Sequence, residues 1–317
     1  PVPLVVACLD VGHAVAACRA GTQSWSEKSG RPVRVVVGSL QNGAALDQYE
    51  ALFSVGSPAL DVVQLPLAAL PRFSGDLLDL GGASTGGSDA HEAGSAPLPA
   101  VAAPAQQRGR KIAAPVFLSV GKWFYRTDLG LAGPPTRWDE VADIVKAART
   151  AQARKTQEDI WGMVFAGAPG EALTASFLEW MAGGSVQEET DDPVTHALER
   201  ANQWVGSVVP PDISDYQEPD ALAQFVAGNS VLIRGWTHDG PMVRADETAI
   251  KDKVAAAPLP AGADGIVHAA MTAFYLGVSR HSAQAEAARD LVSYMTGEAQ
   301  QRAAAETFGQ PPTIRTL

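Results

Sequence analysis

Six histidines, two cysteines and 35 acidic residues are the side chains with which this chain could hold a metal or move a proton. His13, His91, His196, His238, His268 and His281 never fall two or four residues apart, so no pair offers two imidazoles to one metal from a single strand or helical turn. No metal site follows. There is no serine on a strand-to-helix nucleophile elbow, no phosphate loop ending in Gly-Lys-Ser/Thr, and no Gly-x-Gly-x-x-Gly behind a strand. The Gly-rich run at 81–87 sits in a stretch of Gly, Ser, Ala and Pro and reads as loop. The adjacent carboxylates Glu188 and Glu189, and Asp191 and Asp192, precede a helix start, where they complement the helix dipole more naturally than they share acid and base roles. The residues thus point away from an enzyme, and they call for no cofactor.

The elements that would position a site alternate from the first residues. Residues 3–8 read as a buried strand. Val15, Cys18, Thr22 and Trp25 follow at steps of three and four, one face of a helix that stops at Gly30. A strand at 33–37, a helix at 44–54 and a strand at 61–65 continue the pattern, which predicts a mostly parallel, helix-covered sheet. From 81 to 107 large apolar side chains nearly vanish, and a long surface excursion is expected. Residues 111–126 read as two strand-like runs joined through 117–121, the first crossing between lobes. Thr136 and Asp139 make a capping pattern ahead of a helix carrying Val141, Ile144 and Val145. The stripes Leu173, Phe177, Trp180, Met181 and Val194, Leu198, Ala201, Trp204 read as core faces of two further helices. Strands at 230–234 and 253–258, a returning crossing at 271–279 and a helix with Ala288, Leu291, Val292 and Met295 complete the order.

The chain has 317 residues, enough for two separate cores, since single cores stop growing near roughly 250–300 residues. A net charge of -11 argues against a nucleic-acid partner. No apolar run reaches the roughly 18 residues of a membrane span. A start at Pro1, without Met, fits a mature protein whose export signal was removed or lies outside this sequence. Cys8, at a strand end, and Cys18, in the next helix, are placed either to pair or to lie buried as two thiols.

Several runs carry a resemblance. Residues 6–12 (Val-Ala-Cys-Leu-Asp-Val-Gly), 16–30 and 47–65 are joined by Trp-Gly-Met-Val-Phe-Ala-Gly at 161–167 and Phe-Leu-Glu-Trp-Met-Ala-Gly-Gly-Ser at 177–185. Further runs are Phe-Val-Ala-Gly-Asn-Ser-Val-Leu-Ile-Arg-Gly-Trp at 225–236 and Ala-Pro-Leu-Pro at 257–260. In this order they resemble the bacterial extracellular solute-binding proteins of family 1, the trehalose/maltose-binding type. The resemblance implies an α/β protein with the two-lobed periplasmic binding protein fold (type II), its lobes joined by crossing strands. Lobe I would hold 1–117 and 273–308, lobe II 118–272, and 309–317 a C-terminal tail. It further implies a Cys8–Cys18 disulfide, periplasmic location, a monomer, and an ABC permease as partner of a component that closes two lobes around a small, carbohydrate-like ligand.

The chain departs from the family where a sugar would be gripped. Gly12, His13 and Ala14 stand for Gly-Gln-Glu, Pro66 for an Asp, and Ser119 for an acidic residue. Gly43, Ala44 and Ala45 replace a Glu-Arg pair, and Thr272, Ala273 and Phe274 replace Gly-Gly-Trp. Trp236 is kept, but Thr237, His238, Asp239 and Gly240 follow it in place of Pro-Tyr-Ala-Trp. The ligand-binding candidates that remain are His13, Asn42, Ser119, Trp236, His238, Phe274 and Tyr275, a less acidic and more apolar set than a sugar site. Since each unmade bond to a buried hydroxyl costs about 1–3 kcal/mol, a disaccharide held the family's way is expected to bind poorly. The family also continues beyond the segment that here reads Gly-Gln-Pro-Pro-Thr-Ile-Arg-Thr-Leu, so the second lobe is expected to lack closing elements. The competing expectation is a scaffold with a degenerate site that serves a periplasmic protein partner.

Overall fold

A computed structural model describes residues 2–81, 96–156, 160–183 and 192–317. The chain divides into two compact units, 1–119 with 272–317, and 120–271. Two stretches of backbone join them, at 119–120 and at 271–272.

Unit 1 is built on β1 (Leu4–Leu9), which lies between β2 (Val33–Gly38) and β3 (Val62–Pro66) and runs parallel to both. Helix α1 (Ala14–Ser29) connects β1 to β2, and α2 (Ala44–Ser54) connects β2 to β3. Every side chain of β1 is buried, as expected for a parallel strand covered on both faces. Gly30, in the left-handed region at φ 70°, ends α1 as its position in the sequence predicts. The buried side of α1 carries Cys18, Thr22 and Trp25, and the Trp25 indole N–H donates to Asp290 at 2.7 Å. Cys8 and Cys18 form a disulfide with their Cα atoms 6.3 Å apart, closing a short loop worth about 2–3 kcal/mol of chain entropy.

Beyond β3 the expected excursion is only partly found. Residues 82–95, with most of the Gly-rich run, lie outside the described residues. From Pro99 the chain is ordered: a helical turn at Pro99–Ala102 and a small ladder between Gln106–Gln107 and Arg110–Lys111 hold it. Val101 and Ala105 are buried there, so two small apolar anchors suffice where composition alone suggested none. The two expected runs at 111–126 are a single strand, β4 (Ala114–Arg126), which carries the chain from unit 1 into unit 2. Its continuity follows from inward side chains at both ends, Phe117 and Trp123 among them.

Unit 2 pairs the second half of β4 with β6 (Ser230–Trp236) and β7 (Val254–Ala257), both antiparallel. β5 (Trp161–Val164) lies parallel to β6. Around this sheet pack α3 (Val141–Thr156), α4 (Glu171–Ala182), α5 (Pro193–Trp204) and α6 (Glu218–Val226). Trp123, Trp138, Trp180 and Trp204 form the centre of one core, with Trp138 and Trp204 stacked at 6.5 Å and Trp180 edge-on to Trp204.

Two local expectations are corrected here. The carboxylate that caps the turn before α3 belongs to Glu140, not Asp139: it accepts from the Thr136 N–H and hydroxyl and from the Arg137 N–H. Asp139 instead pairs with the Arg137 guanidinium. In α5 the stripe through Val194 and Leu198 is not core. These residues are 40% and 56% exposed, while Ala197 and Trp204 turn inward. A rotation of one position along the helix separates the two faces, a distinction that spacing alone does not make. Asp192 caps α5 by accepting from the Val194 and Thr195 N–H groups, the helix-start role expected of it, while Glu188, Glu189 and Asp191 lie outside the described residues.

β8 (Met271–Val278) returns the chain to unit 1, antiparallel to β3, with Phe274 opposite Pro66 and Leu276 opposite Gln64. Helices α7 (Ala285–Thr296) and α8 (Glu298–Phe308) follow. Ala288, Leu291, Val292 and Met295 of α7 are buried against Leu4, Val6 and Leu276.

Candidate ligand site

Charge in the middle of an apolar strand requires a partner, and β6 contains one such residue. Arg234 is flanked by Val231, Leu232, Ile233 and Trp236, all buried. Its guanidinium donates to both carboxylate oxygens of Glu179 on α4, Nε to Oε2 at 2.9 Å and one terminal nitrogen to Oε1 at 2.7 Å, with both side chains almost wholly buried. Glu179 Oε1 also accepts from the Ala270 N–H at 2.8 Å. The Ala270 carbonyl in turn accepts from the Gly121 N–H at 2.9 Å. This pair therefore ties α4 and β6 to the chain just after its entry into unit 2 and just before its exit.

Gly121 is required by that geometry. A Cβ there would stand 2.2 Å from Glu179 Oε1 and 2.7 Å from an Arg234 nitrogen.

Arg234 also reaches Trp236 two residues on, its Cζ 4.0 Å from the ring centroid, a cation–π contact with little solvent to screen it. The Trp236 indole N–H donates to Glu218 in the first turn of α6. Its backbone N–H donates to Asp239 Oδ2 at 2.7 Å, which shapes the 3₁₀ turn Thr237–Asp239. The His238 ring lies nearly parallel to the indole at 6.4 Å, with Nε2 3.5 Å from Asp239 Oδ1. The Thr237 hydroxyl accepts from the Val120 N–H. Arg234, Trp236, His238, Asp239 and Glu218 thus form one connected cluster at the end of β6.

Of the residues expected from sequence, the structure joins Trp236 and His238 in this cluster, and the Trp236 ring is only 6% exposed. In unit 1, His13 is half-buried just before α1, and Asn42 is exposed in a 3₁₀ turn at φ 51°. Ser119 is buried in β4. Phe274 is buried and stacked on Phe117 at 4.5 Å. Tyr275 is buried, and its hydroxyl donates to the Val101 carbonyl. Burial pushes the Tyr275 phenol up to about 12.

Glu179, Arg234, Asp239 and Glu218 escaped the sequence reading. Arg234 carried a usable signal, a lone cation in a strand of apolar residues. Glu179 carried less, a carboxylate between Leu178 and Trp180 on a helix with an apolar face. For Glu218 nothing in the chain pointed to Trp236.

Burial sets the electrostatics. It lowers the His238 pKa from 6.5 to about 4 and raises that of Asp239 from 3.8 to about 6. Desolvation also raises the Glu218 carboxyl, but this residue keeps solvent exposure, and water tempers the effect. At neutral pH the cluster presents a neutral imidazole beside carboxylates, a set of hydrogen-bond acceptors and donors suited to hydroxyl groups.

Substituting Gly121→Ala should drive Glu179 off Arg234 and strand two buried charges, at a cost of about 3–5 kcal/mol read from the urea midpoint; a loss under 1 kcal/mol would show that the pair is not where its contacts place it. The pH dependence has opposing signs. Between about pH 4 and 6.5 the unfolded chain protonates His238 and the folded chain does not, so stability from this group rises with pH. From 3.8 to about 6 the folded chain protonates Asp239 and the unfolded chain does not, so that contribution falls with pH. His238→Asn should therefore give an unfolding free energy that falls more steeply from pH 4 to 6.5 than in the parent; parallel profiles would contradict the assignment.

Comparison with known proteins accords with this architecture. Residues 21–302 match the family model described as bacterial extracellular solute-binding protein. A Deinococcus radiodurans protein named as a probable ABC transporter-binding protein is 29% identical over 330 residues, covering 100% of this chain and 77% of its own. The structure of maltose-bound MalE3 of T. maritima superposes with a TM-score of 0.86 at 29% identity, covering 99% of this chain and 82% of that one. A solute-binding protein of Agrobacterium radiobacter K84 in complex with ribitol shares the fold, with a TM-score of 0.82 at 17% identity, covering 99% and 81%. With its family model matched over most of its length, this chain belongs to the bacterial extracellular solute-binding proteins and is a solute-binding protein of the ABC-transporter class.

Proposed function

We propose that the chain captures a small, neutral, hydroxylated solute, a saccharide or polyol, in the periplasm and delivers it to an ABC permease. The observation that carries this reading is the cluster at the end of β6. There a buried Trp236 is held by Arg234 and by the solvent-reaching carboxylate of Glu218, beside a neutral His238. Aromatic surface with adjoining acceptors is what a hydroxylated ring or chain requires. Glu218 and Asp239 supply carboxylates from positions outside the family's usual grips. His13 and Asn42 are the polar groups that we assign to the ligand from unit 1. Ser119 is buried in β4, Phe274 is stacked on Phe117 and the Tyr275 hydroxyl is bonded to the Val101 carbonyl, so we assign these three to support and not to direct contact.

The family's maltose-bound relative supports a carbohydrate class, whereas Gly12, Pro66 and Ala44, standing where the resemblance to the family leads one to expect polar grips, favour a ligand smaller than a disaccharide. The reading as an assembly scaffold for another protein finds no support in the comparisons.

Thermal unfolding with ribitol, mannitol, glucose, maltose and glutamate tests this. A polyol or monosaccharide at a hundred times its Kd should add about 2.7 kcal/mol. Maltose should bind at least tenfold more weakly than the best of them, and Glu218→Gln should weaken that ligand about tenfold, the size of one charge-assisted hydrogen bond. Stabilisation by glutamate alone, or by none of the five, would sink the proposal.

A further inference from the structure

Unit 1 contains a cavity of about 280 Å³ whose walls come from α1, α8 and the sheet between them. Small residues make the space: Ala17 and Gly21 on α1, Ala303 and Ala304 on α8. Val116, Leu276 and Met295 give it an apolar floor. Among the described residues, none that lines it carries a charge.

Two glutamines in the wall set it apart from a packing gap. Gln64 is 3% exposed and Gln310 5%. The Gln64 side-chain carbonyl accepts from the Leu9 N–H at 2.8 Å, but its NH₂ group has no hydrogen-bond partner among the described residues. Gln310 is turned inward by Gly309, which ends α8 at φ 66°, and its side-chain amide likewise has no partner among them. Buried amides are nearly always satisfied. The neighbouring Gln301 follows that rule: its carbonyl accepts from the Thr313 N–H and hydroxyl, and its NH₂ donates to the Thr296 carbonyl. Ser24 and Gln300, also in the wall, both bond the Tyr294 hydroxyl. The two amides that flank the cavity thus keep polar groups that no described residue meets, and these groups line its open space, where a bound molecule can reach them.

We propose that this cavity is a second binding site, for a neutral, mostly apolar small molecule carrying one hydroxyl or carbonyl group. The uncharged wall excludes ions, since nothing in it would offset their desolvation. The volume, at the lower end of small-molecule pockets, suits a compact ring or short chain. The amide NH₂ groups of Gln64 and Gln310 would donate to its oxygen. Every lining residue belongs to unit 1, so the site does not rest on the solute reading above.

Cyclohexanol and benzyl alcohol are suitable probes, with benzoate and maltose as contrasts, added to ¹⁵N-labelled full chain. The alcohols should shift the side-chain NH₂ signals of Gln64 and Gln310 in a saturable manner, and benzoate and maltose should not. Gln310→Leu should weaken cyclohexanol about tenfold, and Ala304→Leu, which fills the space, should abolish its effect. Unmoved NH₂ signals, contacts from those groups to water alone in the presence of the alcohols, or equal binding by the folded Ala304→Leu variant would overturn the proposal. Should Ala304→Leu fail to fold, the parent's NH₂ signals decide.

Discussion

The organisation of unit 2 depends on a single buried ion pair. Arg234 and Glu179 are taken out of water together, and this is tolerable only because each satisfies the other through two hydrogen bonds while the spare valence of Glu179 Oε1 is met by the Ala270 N–H. Replaced by well-packed apolar residues of the same volume, such a pair would contribute little net stability. Its value is specific: it fixes α4, β6 and both ends of the unit-2 chain to one another, and it excludes any side chain at Gly121. An apolar cluster would be less exact in register.

From this pair the candidate site is built outward along two residues of one strand. Side chains at 234 and 236 share a face, so the guanidinium that answers Glu179 also lies against the indole of Trp236. The indole N–H reaches Glu218, and the backbone of Trp236 is capped by Asp239, which draws His238 alongside. If this cluster meets the solute as proposed, its aromatic and its acceptors must be held before the ligand arrives, since ordering them later would subtract from affinity. Here each is held by a neighbour that is itself held. The opposed shifts of His238 and Asp239 follow from the same burial acting on a base and an acid, so their contributions to the pH dependence of stability carry opposite signs.

Much of the scaffold is legible in the chain because it obeys simple periodicities. The buried strand of 4–9, the helix ended by Gly30, and the helix of 44–54 are each set by local pattern plus one punctuating residue. Where two acids or two faces compete, pattern is not enough. Asp139 and Glu140 are adjacent, and only the turn's geometry selects the second. Val194 and Leu198 keep helical spacing yet face outward, because Ala197 and Trp204 fit the aromatic core better. The cluster at the end of β6 was legible where it rests on Trp236 and His238, neighbours in sequence. It was not legible where it rests on Glu179 and Glu218, which lie 55 and 18 residues from the groups they bond. No local rule brings those carboxylates to the end of β6.

A double-mutant cycle on Glu179→Leu and Arg234→Met tests the central role of the pair most directly. If the two charges are mutually dependent, each single variant should lose about 3–5 kcal/mol of unfolding free energy, and the double variant should be no less stable than the worse single one. Losses that simply add, leaving a coupling near zero, would contradict the account and place the organising contact of unit 2 elsewhere.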